Sequence, residues 1–483
     1  LEKHLLSKST FVRGVQCSKS LYLYKHRYFL RDRISPEQLA RFSRGTNVGL
    51  LAQNLFPGGI DCKPASPRQY AKSLEKTQQI VVGANADVIY EAVFQHHQVL
   101  IMLDVLVREN GRWNAYEVKS SLKISDTFLL DAALQYYVIK GAGLAIDRFF
   151  LVHLNPDYVS SGELQLHQLF IKTDVTDQVL QHQPLIAQKI DELIGVVRLT
   201  KSPEIAIGTH CKLPYPCDFI GHCHKNVPAG SVLELIHWND KEKFALYDSG
   251  TLKISEIKNT DELNQAQQIE LRCRQSGYEY FDKEGLKDFF SKISAAPLFL
   301  SLLSHRQAIP AWKDYKPYDL LPLSATLRVG NGIFSFVNDV TNSPDDCFFE
   351  FLQPLFASNE SVVVFEAARF KELLQRMAFR QSVMQAGIEK VLPRIIDLQE
   401  VFSRSLYYHP GSGQELSLLQ LSKLIFGNSH LTNVVFTSDT LATDSYLKAA
   451  RAMDAATAQK LAAYSQSHQA MTEAFCKYLS EKI

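Results

Sequence analysis

Nothing in this sequence marks the chain as a whole for a membrane, a secretory route or a polyanion. No apolar run in the 483 residues approaches the ~20 that a membrane helix needs. The first residues, with His4, Lys8 and Arg13, lack the apolar core of a signal peptide, so the chain is expected to be cytoplasmic, with no membrane partner. Lys and Arg number 52 against 51 Asp and Glu, a formal charge of +1, so a site for a polyanion must be a local patch. No internal repeat or low-complexity tract is present. Eight cysteines do not read as a disulfide framework in a compartment that keeps thiols reduced. What remains is a globular chain too long for one ordinary core, with two or three domains expected.

The pattern of elements points to an α/β layer fold. Ser35-Pro36 opens a helix that ends before Pro57-Gly58-Gly59, because proline suits the first helical position. Upstream, "CSKSLYLYKHRYFLRDR" reads as another helix. Between about residues 80 and 120 the pattern shifts to "VIYEAVFQ", "QVLIMLDVLVR" and "WNAYEVKS", a β-meander. Ser125 or Asp126 caps a helix ended by Gly141 and Gly143, and "RFFLVHLN" is a further strand. A helix from about Asp174 to Leu199 leads to a cysteine run that closes the first domain, 1–228. Residues 229–295 read as a helical connector. A second α/β pattern occupies 296–483, with strands in "LFLSLL", "LSATLRV", "GIFSFVN" and "SVVVFEA".

The chemistry concentrates in one hairpin. Asn110-Gly111 is a strong two-residue turn signal, and folding about it sets Asp104 opposite Glu117, with Lys119 on the face of Glu117. Cross-strand Cβ atoms lie only about 4.5–5.5 Å apart, and like charges there repel, so two acids imply a cation between them. Carboxylate oxygens suit Mg²⁺ or Mn²⁺ better than zinc. A solvated edge carrying three surface charges is the plainer alternative. Against it, the strand around Asp104 is almost wholly apolar, and a lone buried charge there would be costly.

Asp104 followed by Glu117-Val118-Lys119 resembles the core of the PD-(D/E)XK nucleases. The resemblance implies a restriction-endonuclease-like domain in which the acids hold a divalent metal and the lysine orients the attacking water. Glu91, on the preceding strand, is the candidate further metal ligand, since the RecB-type histidine of the first helix has no counterpart between Ser35 and Pro57. Gln135 resembles the glutamine of the RecB-family motif, although Ile139 stands where that motif has tyrosine; a surface helix residue is the alternative.

Cys211, Cys217 and Cys223 form a C-x5-C-x5-C run, and Cys17 lies far upstream. This arrangement resembles RecB/AddB-like nucleases in which one cysteine before the core joins three after it to bind a [4Fe–4S] cluster. Zinc on the same four cysteines is the alternative, although the spacing differs from the common C-x2–4-C knuckle. The segment "KSLYLYKHRYFLRDR" interleaves Lys19, Lys25, Arg27, Arg31 and Arg33 with Tyr22, Tyr24, Tyr28 and Phe29. It could track a single strand by phosphate contacts and stacking, or be an amphipathic helix whose aromatics are core.

The C-terminal half resembles a DnaQ-like (RNase H-like) exonuclease domain, in an uncharacterised bacterial family that joins it to a RecB-like nuclease. The first acid pair of that domain is replaced by Ser301 and Leu303, Asp397 matches a retained aspartate, Glu366 lies near the second motif, and His468 stands where the last acid belongs. A degenerate fold is expected there, serving as a platform for nucleic acid or a protein partner. The resemblance as a whole implies an Mg/Mn-dependent deoxyribonuclease, an exonuclease acting on single-stranded DNA or duplex ends. The alternative is a non-catalytic nucleic-acid-binding scaffold that retains nuclease folds.

Overall fold

The apolar stretch from Val88 to Lys119 folds as the expected meander, and its strands carry the centre of the first of two compact units. The computed structural model describes residues 4–339, 342–413, 417–427, 435–449 and 454–483. Unit one comprises Leu1–Asn226 with Ala308–Pro317, and unit two comprises Val227–Gln307 with Tyr318–Ile483. Both are mixed α/β. No helix among the described residues is long and apolar enough to cross a membrane.

In unit one the strands are β1 (Leu6–Ser7), β2 (Ile60–Asp61), β3 (Val88–His96), β4 (Val99–Glu109), β5 (Arg112–Lys119), β6 (Ile146–Leu154) and β7 (Phe170–Asp174). They form one mixed sheet in the order β2-β3-β4-β5-β6-β7, with β1 paired to β4. Two tight loops build the meander. Asn110 and Gly111 both have positive φ, 52° and 77°, as a type I′ turn requires, and they close on the pair Glu109–Arg112. His97 and Gln98, at 47° and 59°, make a second two-residue loop between β3 and β4.

β5 stays with β4 only as far as the pair Val105–Tyr116, then continues alone alongside β6 to the pair Lys119–His153. β3 pairs along the other edge of β4, so β1 joins β4 on the edge that β5 vacates, at Val99 and Leu100. The sheet therefore splits at Asp104. Helix α1 (Lys8–Gln16) leaves β1 directly at this split, and α2 (Ser18–His26) follows it after Cys17.

Helix α3 (Pro36–Gln53) starts as its sequence predicts, with the Ser35 hydroxyl accepting the Gln38 N–H at 3.2 Å. Then come α4 (Tyr70–Gly83), α5 (Asp126–Gly141) and α6 (Gln183–Arg198). The single helix expected over about 174–199 is broken: Thr176–Gln181 and α6 are separate, because Pro184 has no N–H to continue the ladder. Leu103, Leu106, Ala132, Ile139, Phe149, Leu151 and Ile190 lie in the shared core between sheet and helices.

Unit two contains β8 (Tyr280–Phe281), β9 (Leu298–Arg306), β10 (Leu320–Val329), β11 (Gly332–Val337), β12 (Val362–Val364), β13 (Ile395–Asp397) and β14 (Tyr407–Tyr408). The main sheet runs β11-β10-β9-β12-β13, antiparallel on the first side and parallel on the second, and β8 pairs with β14. Its helices include α7 (Ala367–Arg380), α8 (Ser382–Val391) and α9 (Ala455–Ser480). The stretch 229–295, read from sequence as a connector, packs as part of this unit. Leu286 and Phe289 share a core with Val363, Leu398 and Phe475, and Val232, Trp238 and Leu271 form a smaller one.

Leu103 is fully buried in β4, one residue from the split. Leu103→Ala is expected to lower the unfolding free energy by about 2–5 kcal/mol, read from urea denaturation.

Candidate functional site

At the split, a carboxylate of β4 replaces a backbone acceptor. Asp104 Oδ2 accepts the Val118 N–H at 2.7 Å. Glu117 and Lys119 point to one face of β5, as their spacing dictates, and Lys119 Nζ lies 2.8 Å from Glu117 Oε1. Two residues not anticipated from sequence complete the cluster. Asp131, in the second turn of α5, accepts from Lys119 Nζ through Oδ2 at 2.5 Å. Lys8, the first residue of α1, donates to Glu117 Oε1 at 2.6 Å and lies 3.8 Å from Asp131 Oδ2.

The same two oxygens thus hold two ammonium groups, while the opposite oxygens, Glu117 Oε2 and Asp131 Oδ1, are buried without a hydrogen-bond partner. Gln135 is one turn beyond Asp131 on the same helix face. It is fully buried, not on the surface, and neither atom of its amide has a partner. Such orphaned groups are costly unless something else engages them.

Glu91 is near enough for its charge to act on Asp104, and it is itself paired with a lysine outside the cluster. β3 and β4 pair at Tyr90–Val105 and at Ala92–Leu103 but not between, and Glu91 has φ +52°. Two acids directly opposite would repel. The Glu91 carboxylate pairs with Lys63 at 3.2 Å.

Burial first, then the Glu117 charge, push the Asp104 carboxyl up to about 7, against the pull of Lys8 and the Val118 N–H. Burial also works against ionised Glu117, but Lys119 and Lys8 outweigh it and hold this carboxyl well below the usual carboxylate range. Asp131 is pushed up by burial despite Lys8. Burial disfavours both ammonium groups, and the surrounding carboxylates more than reverse this, so Lys8 and Lys119 stay protonated well above the ordinary lysine range.

Among the described residues no three His, Cys, Asp or Glu side chains are arranged to hold a metal ion. The polar contacts explain this at the split: lysines occupy one oxygen each of Glu117 and Asp131, and Lys63 pairs with Glu91. The donor set still fits a hard cation, because Mg²⁺ commonly binds through one or two carboxylates and keeps its waters, and two buried carboxylate oxygens lack partners.

The cysteines form a second site in the same unit. Cys17, between α1 and α2, lines one small cavity together with Cys211, Cys217 and Cys223. The Cys217 thiol donates to the Ser20 hydroxyl at 3.4 Å. Burial pushes the Cys17, Cys211 and Cys223 thiols up. All eight cysteines are free, and Cys62, Cys273, Cys347 and Cys476 lie elsewhere. In the basic-aromatic segment, Tyr22 and Leu23 pack on Phe219 as core, whereas Tyr28 and Phe29 are exposed.

Unit two has a cavity of about 400 Å³ lined by Ser301, Glu366, Arg369, Asp439, Tyr464 and His468, among others. Ser301 donates to the Ser465 carbonyl, and Leu303 is core. Asp397 is not in the lining: its oxygens accept the Ala367 and Gln399 N–H groups.

Residues 299–417 match the family model described as a domain of unknown function (DUF2779). The match lies within the stretch from β9 to beyond β14. No curated protein matches the chain. A solved structure described as "Crystal structure of SSO0001" aligns with 47% of this chain and 89% of its own length, at 13% identity and a TM-score of 0.23, too low to assign a fold.

The electrostatics fix a pH dependence. Asp104 keeps its proton when folded to a pH at which the unfolded chain has lost it. Its contribution is therefore full below the ordinary aspartate value and is lost as pH rises toward about 7. Glu117 acts oppositely, stabilising above its ordinary value and losing this on acidification. Asp104→Asn is expected to be more stable than the native protein at about pH 8, by on the order of 1–3 kcal/mol, with a smaller gap at about pH 5, measured by denaturant unfolding.

Proposed function

We propose that unit one is a metal-dependent DNA nuclease of the PD-(D/E)XK type, RecB-like, acting on single-stranded or end-bearing DNA in processing, repair or defence. The observation that carries this reading is the buried set of Asp104, Glu117, Lys119 and Asp131, in which one oxygen each of Glu117 and Asp131 lacks a partner. When bound, Mg²⁺ or Mn²⁺ supplies Lewis-acid stabilisation of the charge that develops on the scissile phosphate. Glu117 and Asp131 would hold the ion, with Asp104 beside them on the split edge. Lys119, kept protonated by its carboxylate neighbours, orients the attacking water and neutralises charge on the phosphate. Gln135 offers an unengaged amide, both donor and acceptor, to position the strand.

The four cysteines that share a cavity are assigned to a [4Fe–4S] cluster with a structural role. A single zinc would need every sulfur about 2.3 Å from one point. The thiols share a cavity, and their C-x5-C-x5-C spacing differs from the common C-x2–4-C zinc knuckle, which favours a cluster. Unit two is proposed as a degenerate DnaQ-like domain, a platform for nucleic acid or a protein partner. The positions of Ser301 and Leu303 in hydrogen-bonded and core roles support its lack of a first metal pair.

One observation favours a second reading, a non-catalytic nucleic-acid-binding scaffold: two ammonium groups already neutralise Glu117 and Asp131. The two readings separate in one assay. A nuclease degrades linear single-stranded DNA with Mg²⁺ or Mn²⁺ and stops with chelator, whereas a scaffold binds equally in both and never cuts. Lys119→Ala and Glu117→Gln are expected to lower the cleavage rate by roughly 10²–10³-fold or more while DNA binding persists. Undiminished cleavage by Lys119→Ala would remove the assignment. Anaerobically purified protein is expected to carry about four iron atoms per chain, lost in Cys217→Ser; about one zinc ion instead would replace the cluster by a mononuclear site.

A further inference from the structure

Two lysines make the same contacts at the split, and only one of them belongs to the sequence motif. Lys119 reaches Glu117 Oε1 and Asp131 Oδ2 at 2.8 and 2.5 Å, and Lys8 reaches the same atoms at 2.6 and 3.8 Å. Their exposure differs. The Lys8 side chain is 30% exposed and Lys119 16%, whereas the Glu117 side chain that both contact is 3% exposed. Lys119 is fixed within the β5–β6 ladder, paired with His153. Lys8 enters from the first position of α1, beyond the two-residue strand β1, and its side chain is the more exposed of the two.

We infer that Lys8 is a tethered competitor for the divalent ion, its ammonium lying against the carboxylates until a metal displaces it. The inference rests on the proposed reading of the split as a metal site, and goes beyond it by giving this chain a built-in cation that must leave. The charges explain why both cannot stay. Three ionised carboxylates facing two ammonium groups carry a net charge of about −1, so a divalent ion added to that set would overshoot to about +1 and meet two like charges within a few ångströms. With Lys8 withdrawn, one ammonium remains and the ion restores the balance. Lys8 also contacts Asp131 only at 3.8 Å, so its departure breaks one short contact and leaves Lys119 holding both acids.

The test is Mn²⁺ binding by the full chain, followed by electron paramagnetic resonance of the free ion and independent of any cleavage. Lys8→Met is expected to bind Mn²⁺ about tenfold or more tightly than the native protein, because one repelling charge is gone, and Lys8→Arg to stay near the native value. Lys8→Gln serves as a second neutral variant, with circular dichroism confirming that each is folded. Equal or weaker binding by the folded neutral variants, beside measurable native binding, overturns the role of Lys8 alone. No Mn²⁺ binding by any folded variant overturns the metal reading itself, and this inference with it.

Discussion

Acidic side chains placed within an apolar sheet must be answered by opposite charge, and the first unit is organised around that demand. Asp104, Glu117 and Asp131 come together where β5 leaves β4, in surroundings that penalise ionised groups. The backbone meets part of the demand through the Val118 N–H, and the rest falls to two ammonium groups. This explains why β1 and α1 sit where they do: the vacated edge of β4 accepts β1, and the next residue is Lys8. Removing an ammonium group from such a buried ionic set leaves a carboxylate uncompensated.

Helix α1 links this cluster to the cysteines. Lys8 begins it and Cys17 follows its last turn. Between them Arg13 binds Asp218 at 2.6 Å, and the Gln16 amide donates to the His210 and Tyr215 carbonyls, both at 2.7 Å. The helix is thus moored to the cysteine-bearing loop at one end and to the split sheet at the other. Any constraint that orders the four thiols acts on the same nine-residue element that delivers Lys8.

What could be read from sequence was the part encoded locally. Asn110-Gly111 specified the turn, the turn specified the register, and strand periodicity set Lys119 beside Glu117. Lys8 and Asp131 were not legible, because the contact between Lys8 and Glu117 spans 109 positions and neither lysine nor aspartate carries a local signal for a distant partner. Glu91 lay on the strand expected of it, but its left-handed backbone and its pairing with Lys63 are features that alternation alone does not show. Gln135 sits on a helix so apolar all round that facing could not be read from periodicity. In the second unit, the helical run 229–295 looked polar enough to stand apart, yet a few apolar residues such as Leu286 and Phe289 suffice to draw it into the core.

The two-residue loop at Asn110-Gly111 has a further consequence for how this chain can change. Side chains on a strand alternate between faces, so one residue inserted in or deleted from that loop would shift β5 against β4 by a single step. Glu117 and Lys119 would swing to the reverse side of the sheet, and Tyr116 and Val118 would be presented to Lys8 and Asp131 in their stead. The hairpin therefore tolerates no change in its count.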